Sequence, residues 1–560
     1  MYEMQYGLNT YGQIKRQGYP ECSCGLGINK TDHYELKCKA YSWRALFFNA
    51  KKREDDLKQD LAEQSLTLKS QITTLKSQIT ILQEELDSAK AQIQQYKHMV
   101  FGKKSEKSKA TGALAHKMKP GKKRGQQKGQ KGHGRTILDL PIKEEIVELK
   151  HKQTCRRCWL PYSPMNVTDD SEVVEISVNA YKRVIKRMKY TRHPDCKCYC
   201  APKFITAPMP PKCIPKGKFG SSMYANLLVG KFGYQIPLYR LIKQFSLYDI
   251  NLSPGTVTGG FKTLLPLLEP VYDAIVAYSQ TDKHWHIDET GWKVFKKIKD
   301  KKTYNWFLWV FCSAKASVYT LAPGRGLNVP QEFFNGVTDG GIISTDRYAV
   351  YNRLAIDNNL QNSYCWIHVR RDFINLASSH PKLKCWALSW VRIINKLLYI
   401  NKQRVELYNK KWSFYPKQEE LEAQLQLIER KCREQVHSRD LHIDGIKALR
   451  RLQKFWRGLT TFELRPKIPI SNNTAESALR GPVVGRKNYY GSGSLWSAKL
   501  TAIMFSIVET LKKWNINPIQ WLTKYLDECA RYGNKAPWWV VNDSLPWDIP
   551  DTGFRIPLLI

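Results

Sequence analysis

Leucines at 61, 68, 75 and 82 recur every seven residues, and Ala89 continues the series. Ile72, Ile79, Leu86 and Ile93 form a second series four residues out of step. Residues so spaced share one stripe of a helix, the a and d positions of a heptad. Five heptads without Pro or Gly predict a coiled coil over 51–101. The segment TLKSQIT even repeats back to back. One amphipathic helix packed on its own domain would carry the same stripe. The polar flanks and the length favour self-association, so a homo-oligomer is expected.

Further along, the pattern changes twice. YANLLVGKFGYQIPLYRLIKQFSLYDI reads as helix, breaks at Ser253-Pro254-Gly255, and resumes as TVTGGFKTLLPLLEPVYDAIVAY. Two helices around a short turn predict a helix-turn-helix-like DNA-binding region over 206–280, although many such pairs only pack. Beyond residue 280 strands dominate: HWHIDET, TYNWFLWVFCSA, SVYTLAP, GGIISTDRYAVY and NSYCWIH. Three strands in sequence, then helix, strand, helix and strand, predict a mixed sheet with helices on its faces. The chain is therefore expected to be a multidomain α/β protein.

Length and charge sharpen this picture. At 560 residues, three or four units are expected. Lys and Arg number 89 against 50 Asp and Glu, a net charge of +39. That surplus would repel itself unless a polyanion shares the working state. A ribosome-associated or membrane-surface protein would share the bias, so charge names the class of partner and not the activity. Residues 103–135 hold twelve Lys or Arg and one acid, Glu106. With its Gly and Gln, this stretch reads as a flexible basic linker (102–145) in which Lys122, Lys123 and Arg124 track phosphates. No apolar run reaches the roughly 18 residues of a membrane span, and no secretory leader opens the chain. A cytoplasmic, nucleoid-associated protein is expected.

Fourteen cysteines cluster at short spacings, which suits metal binding better than a disulfide framework. Cys155 and Cys158 form one CxxC half of a tetrahedral site. HPDCKCYC offers His193, Cys196, Cys198 and Cys200 for the other half, with Cys196 and Cys198 favoured. A zinc-ribbon-like module over 146–205, holding Zn²⁺, is the expectation. Residues 1–50 receive no assignment, and the Trp- and Pro-rich tail at 531–560 receives no function.

Three acids stand where the pattern would bring them together. Asp288 lies near the end of the first strand of the sheet, and Asp346 follows the fourth, where GGIIST runs into DRY. In the strand order of an RNase H-like sheet these two strands are neighbours. Glu476, in SNNTAESALRGP, would approach from a helix capped by Asn472 or Asn473. Converging carboxylates repel one another unless cations lie between them, and hard oxygen ligands select Mg²⁺ or Mn²⁺. Each acid alone has a plain reading: strand-end solvated residue, turn former, helix-surface acid. Their combination with the basic composition favours phosphodiester chemistry.

Read in order, these blocks resemble the transposases of the insertion sequence 66 family over about residues 55 to 530. The coiled coil followed by HMVFGKKSEK, the linker GQKGHGR, and TAPMPPKCIPKG, HIDETGW, STDRYAVYN, CWIHVRRDF and NNTAESALRGPVVGRKNYYGSGS carry the resemblance. It implies an RNase H-like catalytic domain over 281–530, with Asp288, Asp346 and Glu476 as a DDE triad. It also implies a helical insertion at about 379–469. His368, Arg371, Arg486 and Lys487 would contact double-stranded DNA, and accessory proteins of the same element are expected partners. Two rival functions use the same scaffold: a domesticated, non-catalytic DNA-binding protein, and a structure-specific nuclease that cuts without joining.

Overall fold

The computed structural model describes residues 30–101, 144, 156–160, 173, 180–195, 202–297, 303–338 and 340–549. The chain divides into two units, Met1–Ile93 and Gln94–Ile560. A single helix, α1, spans Lys30–Phe101. It begins well before residue 51 because neither Pro nor Gly interrupts the chain from Lys30 onward. Its heptad stripe lies open, with Leu61, Leu68, Leu75 and Leu82 each more than half exposed.

The basic cluster Lys122, Lys123 and Arg124 and the expected zinc ligands Cys155, Cys196 and Cys198 lie outside the described residues. Cys158 is described and carries an exposed, free thiol. Strands β1 (Lys189–Thr191) and β2 (Phe204–Thr206) pair antiparallel, with Tyr190 opposite Ile205.

Three helices follow: α2 (Ser221–Phe232), α3 (Leu238–Ser246) and α4 (Pro254–Gln280). The first of the two expected helices is thus divided. Gly233 closes α2 and Pro237, whose ring fixes φ and removes a donor, opens α3. Ser253 caps α4, its Oγ accepting from Thr256 N at 3.1 Å. The buried faces of α2 and α4 belong to the same core as the sheet. This region is a layer of the larger domain.

The sheet and its helices come in the order β3 (His284–Lys293), β4 (Asn305–Cys312), β5 (Ser317–Ala322), α5 (Asn328–Phe334), β6 (Gly341–Thr345), α6 (Ala349–Asp357), β7 (Leu360–Tyr364) and α7 (Trp366–Ser379). Then follow α8 (Lys384–Asn409), α9 (Tyr415–Val436), α10 (Ile443–Lys454), α11 (Trp456–Leu459), α12 (Asn473–Tyr489), α13 (Leu495–Lys513), α14 (Pro518–Arg531) and α15 (Trp538–Asn542). The five strands align as β5-β4-β3-β6-β7. The first three are antiparallel neighbours, and β6 and β7 run parallel to β3.

Side chains alternate between two covered faces along β3. Trp285 packs edge-on against Phe334 of α5, and Glu289 meets Tyr351 of α6. His286 on the opposite face reaches Asn472, next to α12. Helix α13 is buried almost all round, as the run LTAIMFSIVETL requires. Its hydroxyls also cover the edge strand: Ser317 N donates to Thr510 Oγ1 and Tyr319 N to Ser506 Oγ. An edge ladder that would otherwise invite another strand is closed this way.

The insertion and α7 share a second core, in which Trp366, Phe373, Trp390, Leu425 and Phe462 are buried together. Arg404 is fully enclosed there and donates to the carbonyls of Phe462 and Glu463. The Trp-rich tail has a structural use. Val540, Val541 and Leu545 join the main core, and Trp547 stacks on Tyr278 of α4 with ring centroids 3.7 Å apart.

Candidate active site

Strands β3 and β6 pair only where His284–His286 face Ile342–Ser344. Beyond His286 they part, while β3 continues against β4 as far as Lys293. Asp288 stands just past this fork, and Asp346 follows directly on β6. The expected placement of Asp288 at a strand end is therefore corrected. Pairing with β4 carries β3 five residues further, and the fork, rather than a strand end, opens the space.

Each aspartate is held by a local backbone contact. Asp288 Oδ1 accepts from Glu289 N and Asp346 Oδ1 from Tyr348 N, both at 2.9 Å. Glu476 lies in the first turn of α12. Its Oε1 is buried without a hydrogen-bond partner and sits 3.7 Å from His368 Nε2 of α7.

Burial, then the neighbouring Glu289, push the Asp288 carboxyl up to about 7. The Glu289 backbone N–H opposes that rise, while Asp346 and Glu476 add to it. A rise of this kind is chiefly that of a poorly solvated carboxyl, with nearby acids adding to it. Burial lowers the His368 imidazole, as does Arg371 to a lesser extent, while Glu476 and Asp346 pull it back up.

Among the described residues, the tight groupings of metal-competent side chains are Cys365–His368–Glu476 and His380–His442–Asp444. The three carboxylates together are not one of these, so they converge more loosely than a closed cage.

The start of α12 is set by a residue to which sequence reasoning gave a different task. Asn472 occupies the N-cap position, yet its side chain makes no capping bond. Instead its Nδ2 donates to Ile287 O at 2.8 Å, and its Oδ1 lies 3.0 Å from His286 Nδ1. With Nδ2 committed to a carbonyl, Oδ1 must accept, so neutral His286 carries its proton on Nδ1. Burial holds that imidazole neutral, at about 3. Asn472 thereby ties the helix bearing Glu476 to the two residues just before Asp288. Asn472→Ala would orphan two buried groups and is expected to lower stability by about 2 kcal/mol. Thermal melts check this, and an unchanged melting temperature would show that other contacts hold the start of α12.

Arg486, expected at DNA, donates to the Gly291 carbonyl and lies 3.3 Å from Thr290 Oγ1. It braces α12 against the far half of β3. Lys487 beside it is exposed. The loop after α12 returns to β3 as well, with Ser492 N donating to Lys293 O at 2.9 Å. Gly491 there has φ of +148°, and any Cβ would strike that same carbonyl. Glu289 was also missed from sequence. Its side chain is 2% exposed and held by Arg325 and Tyr351.

The sequence pattern of the Transposase IS66 family matches residues 216–500, which include the fork, all three acids and the insertion. The chain belongs to the IS66 transposase family. DNA is therefore its substrate class. An uncharacterized protein, y4hP, of Sinorhizobium fredii (strain NBRC 101917 / NGR234) is 25% identical over 433 residues, covering 73% of this chain and 75% of that one. A second from the same organism, y4jD, is 23% identical over 424 residues, covering 72% and 80%. No solved structure matches. Among the described residues of this IS66 family chain, no helix is long and apolar enough to cross a membrane.

Proposed function

We propose that this transposase cuts and joins DNA strands at the ends of a mobile element, with Asp288, Asp346 and Glu476 as the DDE triad of an RNase H-like domain. What supports the reading is the fork, where Asp288 on β3 and Asp346 after β6 stand on neighbouring strands and Asn472 ties the start of the helix bearing Glu476 to Ile287. The strand order β5-β4-β3-β6-β7, with only the first three antiparallel, supports the domain assignment.

The acids also fit divalent cations. Burial, with like charges adding to it, raises the Asp288 carboxyl to about 7, and one Glu476 oxygen is buried and unsatisfied, so positive charge would relieve both. Asp288, Asp346 and Glu476 would hold Mg²⁺ or Mn²⁺, which would activate the attacking oxygen and stabilise the leaving one.

The chain's own groups do the positioning. Asn472 and Arg486 set α12 against β3, so that Glu476 is presented across the fork from Asp346. His368 stands beside Glu476 and steadies its carboxylate. Arg371, Lys487 and the basic cluster Lys122, Lys123 and Arg124 take phosphates of the duplex. The free 3′-OH left by hydrolysis then attacks a target phosphodiester, while the old bridging oxygen leaves with the departing strand.

Two supporting modules complete the reading. Cys155, Cys158, Cys196 and Cys198 hold zinc in a ribbon-like module, and α1 pairs copies of the chain so that two ends are handled together. Charging the stripe with Leu68→Lys, Leu75→Lys and Leu82→Lys is expected to leave a monomer in sedimentation, because each ammonium would have to be buried in the seam. An oligomer unchanged by all three would place self-association elsewhere.

The cleavage test uses a labelled element end with accessory proteins of the element supplied. Cleavage leaving a 3′-OH, present with Mg²⁺ or Mn²⁺ and absent with EDTA, is expected. Cleavage that ignores EDTA would contradict the reading.

A further inference from the structure

The helical insertion carries a second cluster of metal-competent side chains, sharing no residue with the acidic fork. His380 follows the last residue of α7 and is 4% exposed. His442 stands at the N-cap of α10, with Asp444 in its first turn. His380 Nε2 lies 2.8 Å from Asp444 Oδ2, and His442 Nδ1 lies 3.9 Å from the same oxygen. One ligand atom from each of the three lies within 4.8 Å of the other two. The side chains of His442 and Asp444 are only 12% and 16% exposed.

Three features distinguish this from an ordinary pair of core histidines. Both imidazoles turn a nitrogen toward one carboxylate oxygen, while Lys447 Nζ holds the other oxygen at 3.2 Å. That division leaves Oδ2 to the rings and fixes the carboxylate's orientation, as an outer partner does at metal sites. The second feature is an incomplete polar inventory. His442 Nδ1 accepts from Asp444 N at 3.2 Å, a long contact that zinc on Nδ1 would displace, and His442 Nε2, which would keep the proton, is buried with no hydrogen-bond partner. The third is spacing. Bonds of roughly 2.0–2.1 Å in a tetrahedron put ligand atoms about 3.4 Å apart, and the two measured separations straddle that value.

Two imidazoles with a single carboxylate suit zinc rather than Mg²⁺ or Ca²⁺, which prefer all-oxygen shells. We propose that His380, His442 and Asp444 form a zinc site that clamps the end of α7 to the start of α10. The site joins segments 62 residues apart in sequence, and α7 is the helix whose first turn presents His368 to Glu476. Zinc at this position stiffens the insertion where it meets the sheet domain.

The test counts metal on the untagged full-length chain, stripped with chelator and re-equilibrated with zinc against a competing dye. His380→Gln and His442→Gln are each expected to bind one equivalent less than the parent. Their difference from the parent is unaffected by any zinc held on cysteines. Cobalt in place of zinc should give the parent a visible d–d band of nitrogen–oxygen ligation that His442→Gln lacks. Where a histidine variant loses helical signal, Asp444→Asn keeps the shape of the side chain and carries the same count. Folded variants that hold as much zinc as the parent would overturn the site.

Discussion

Asp288→Asn is expected to lower metal-dependent strand cleavage by roughly a thousandfold or more, with binding to element-end DNA retained. The amide keeps an oxygen to accept the Glu289 N–H, so β3 and the fork should survive. What it loses is the negative charge that a cation would need. A second readout separates this from misfolding. The Asp288 carboxyl is raised to about 7, so its protonated form is the one the fold prefers. The stability this group contributes is present below the ordinary aspartate range and is lost as pH rises through 7. Without divalent cations, the parent's melting temperature should therefore fall from roughly pH 4 to about pH 7 and then level off, and less so in Asp288→Asn. At pH 8 the variant should melt higher than the parent, by about 2 °C or more. Added Mg²⁺ should raise the parent's melting temperature and leave the variant's nearly unchanged. A variant that melts lower at pH 8, with lost DNA binding, would mean Asp288 is structural.

Arg404→Ala is expected to destabilise the insertion by about 3–5 kcal/mol. The guanidinium is enclosed, and it donates to Gln418 Oε1 at 2.7 Å, to Glu463 O at 2.6 Å and to Phe462 O at 3.0 Å. Burial lowers it to about 10, with Glu463 and Glu422 acting against that, so it remains charged at neutral pH. Removing it strips one donor from each carbonyl, leaving Glu463 O to Gln418 Nε2 and Phe462 O to Arg465 N, and opens a cavity among the helices. Arg404→Met fills most of the volume and supplies no donor, so it should lose less, about 2 kcal/mol. Equal stability of Arg404→Met and the parent in thermal melts would show that filling space, and not hydrogen bonding, is what the arginine does.

The features legible in the sequence were those written locally. Heptads along α1 and the alternating runs of β3 to β7 are periodic patterns, and periodicity survives without knowledge of partners. The order of strands and helices followed, and with it the adjacency of the strands bearing Asp288 and Asp346. What escaped was decided by distant contacts. Asn472 looks like a helix cap, and its true partners are Ile287 and His286, more than 180 residues earlier. Arg486 looks like a free phosphate contact, and its guanidinium reaches back to Gly291. Glu289 has no local mark that would distinguish it from a solvated strand acid, since Arg325 and Tyr351 come from other elements. The division between α2 and α3 was visible as FGYQIP but was masked by the apolar residues on either side. The aromatic tail could be placed only once α4 offered Tyr278 as a stacking partner.

Joining of a pre-cleaved end tests the central claim most directly, because it needs the fork's acids and bypasses the first cut. The substrate is an element end bearing a free 3′-OH, supplied with target duplex, Mg²⁺ and the element's accessory proteins. The parent is expected to produce joined strands, and Asp288→Asn, Asp346→Asn and Glu476→Gln are each expected to produce none while still binding the end. Joining that persists in any one of the three would contradict their assignment as a single metal-holding triad. A parent that cleaves ends but never joins them would make the protein a nuclease.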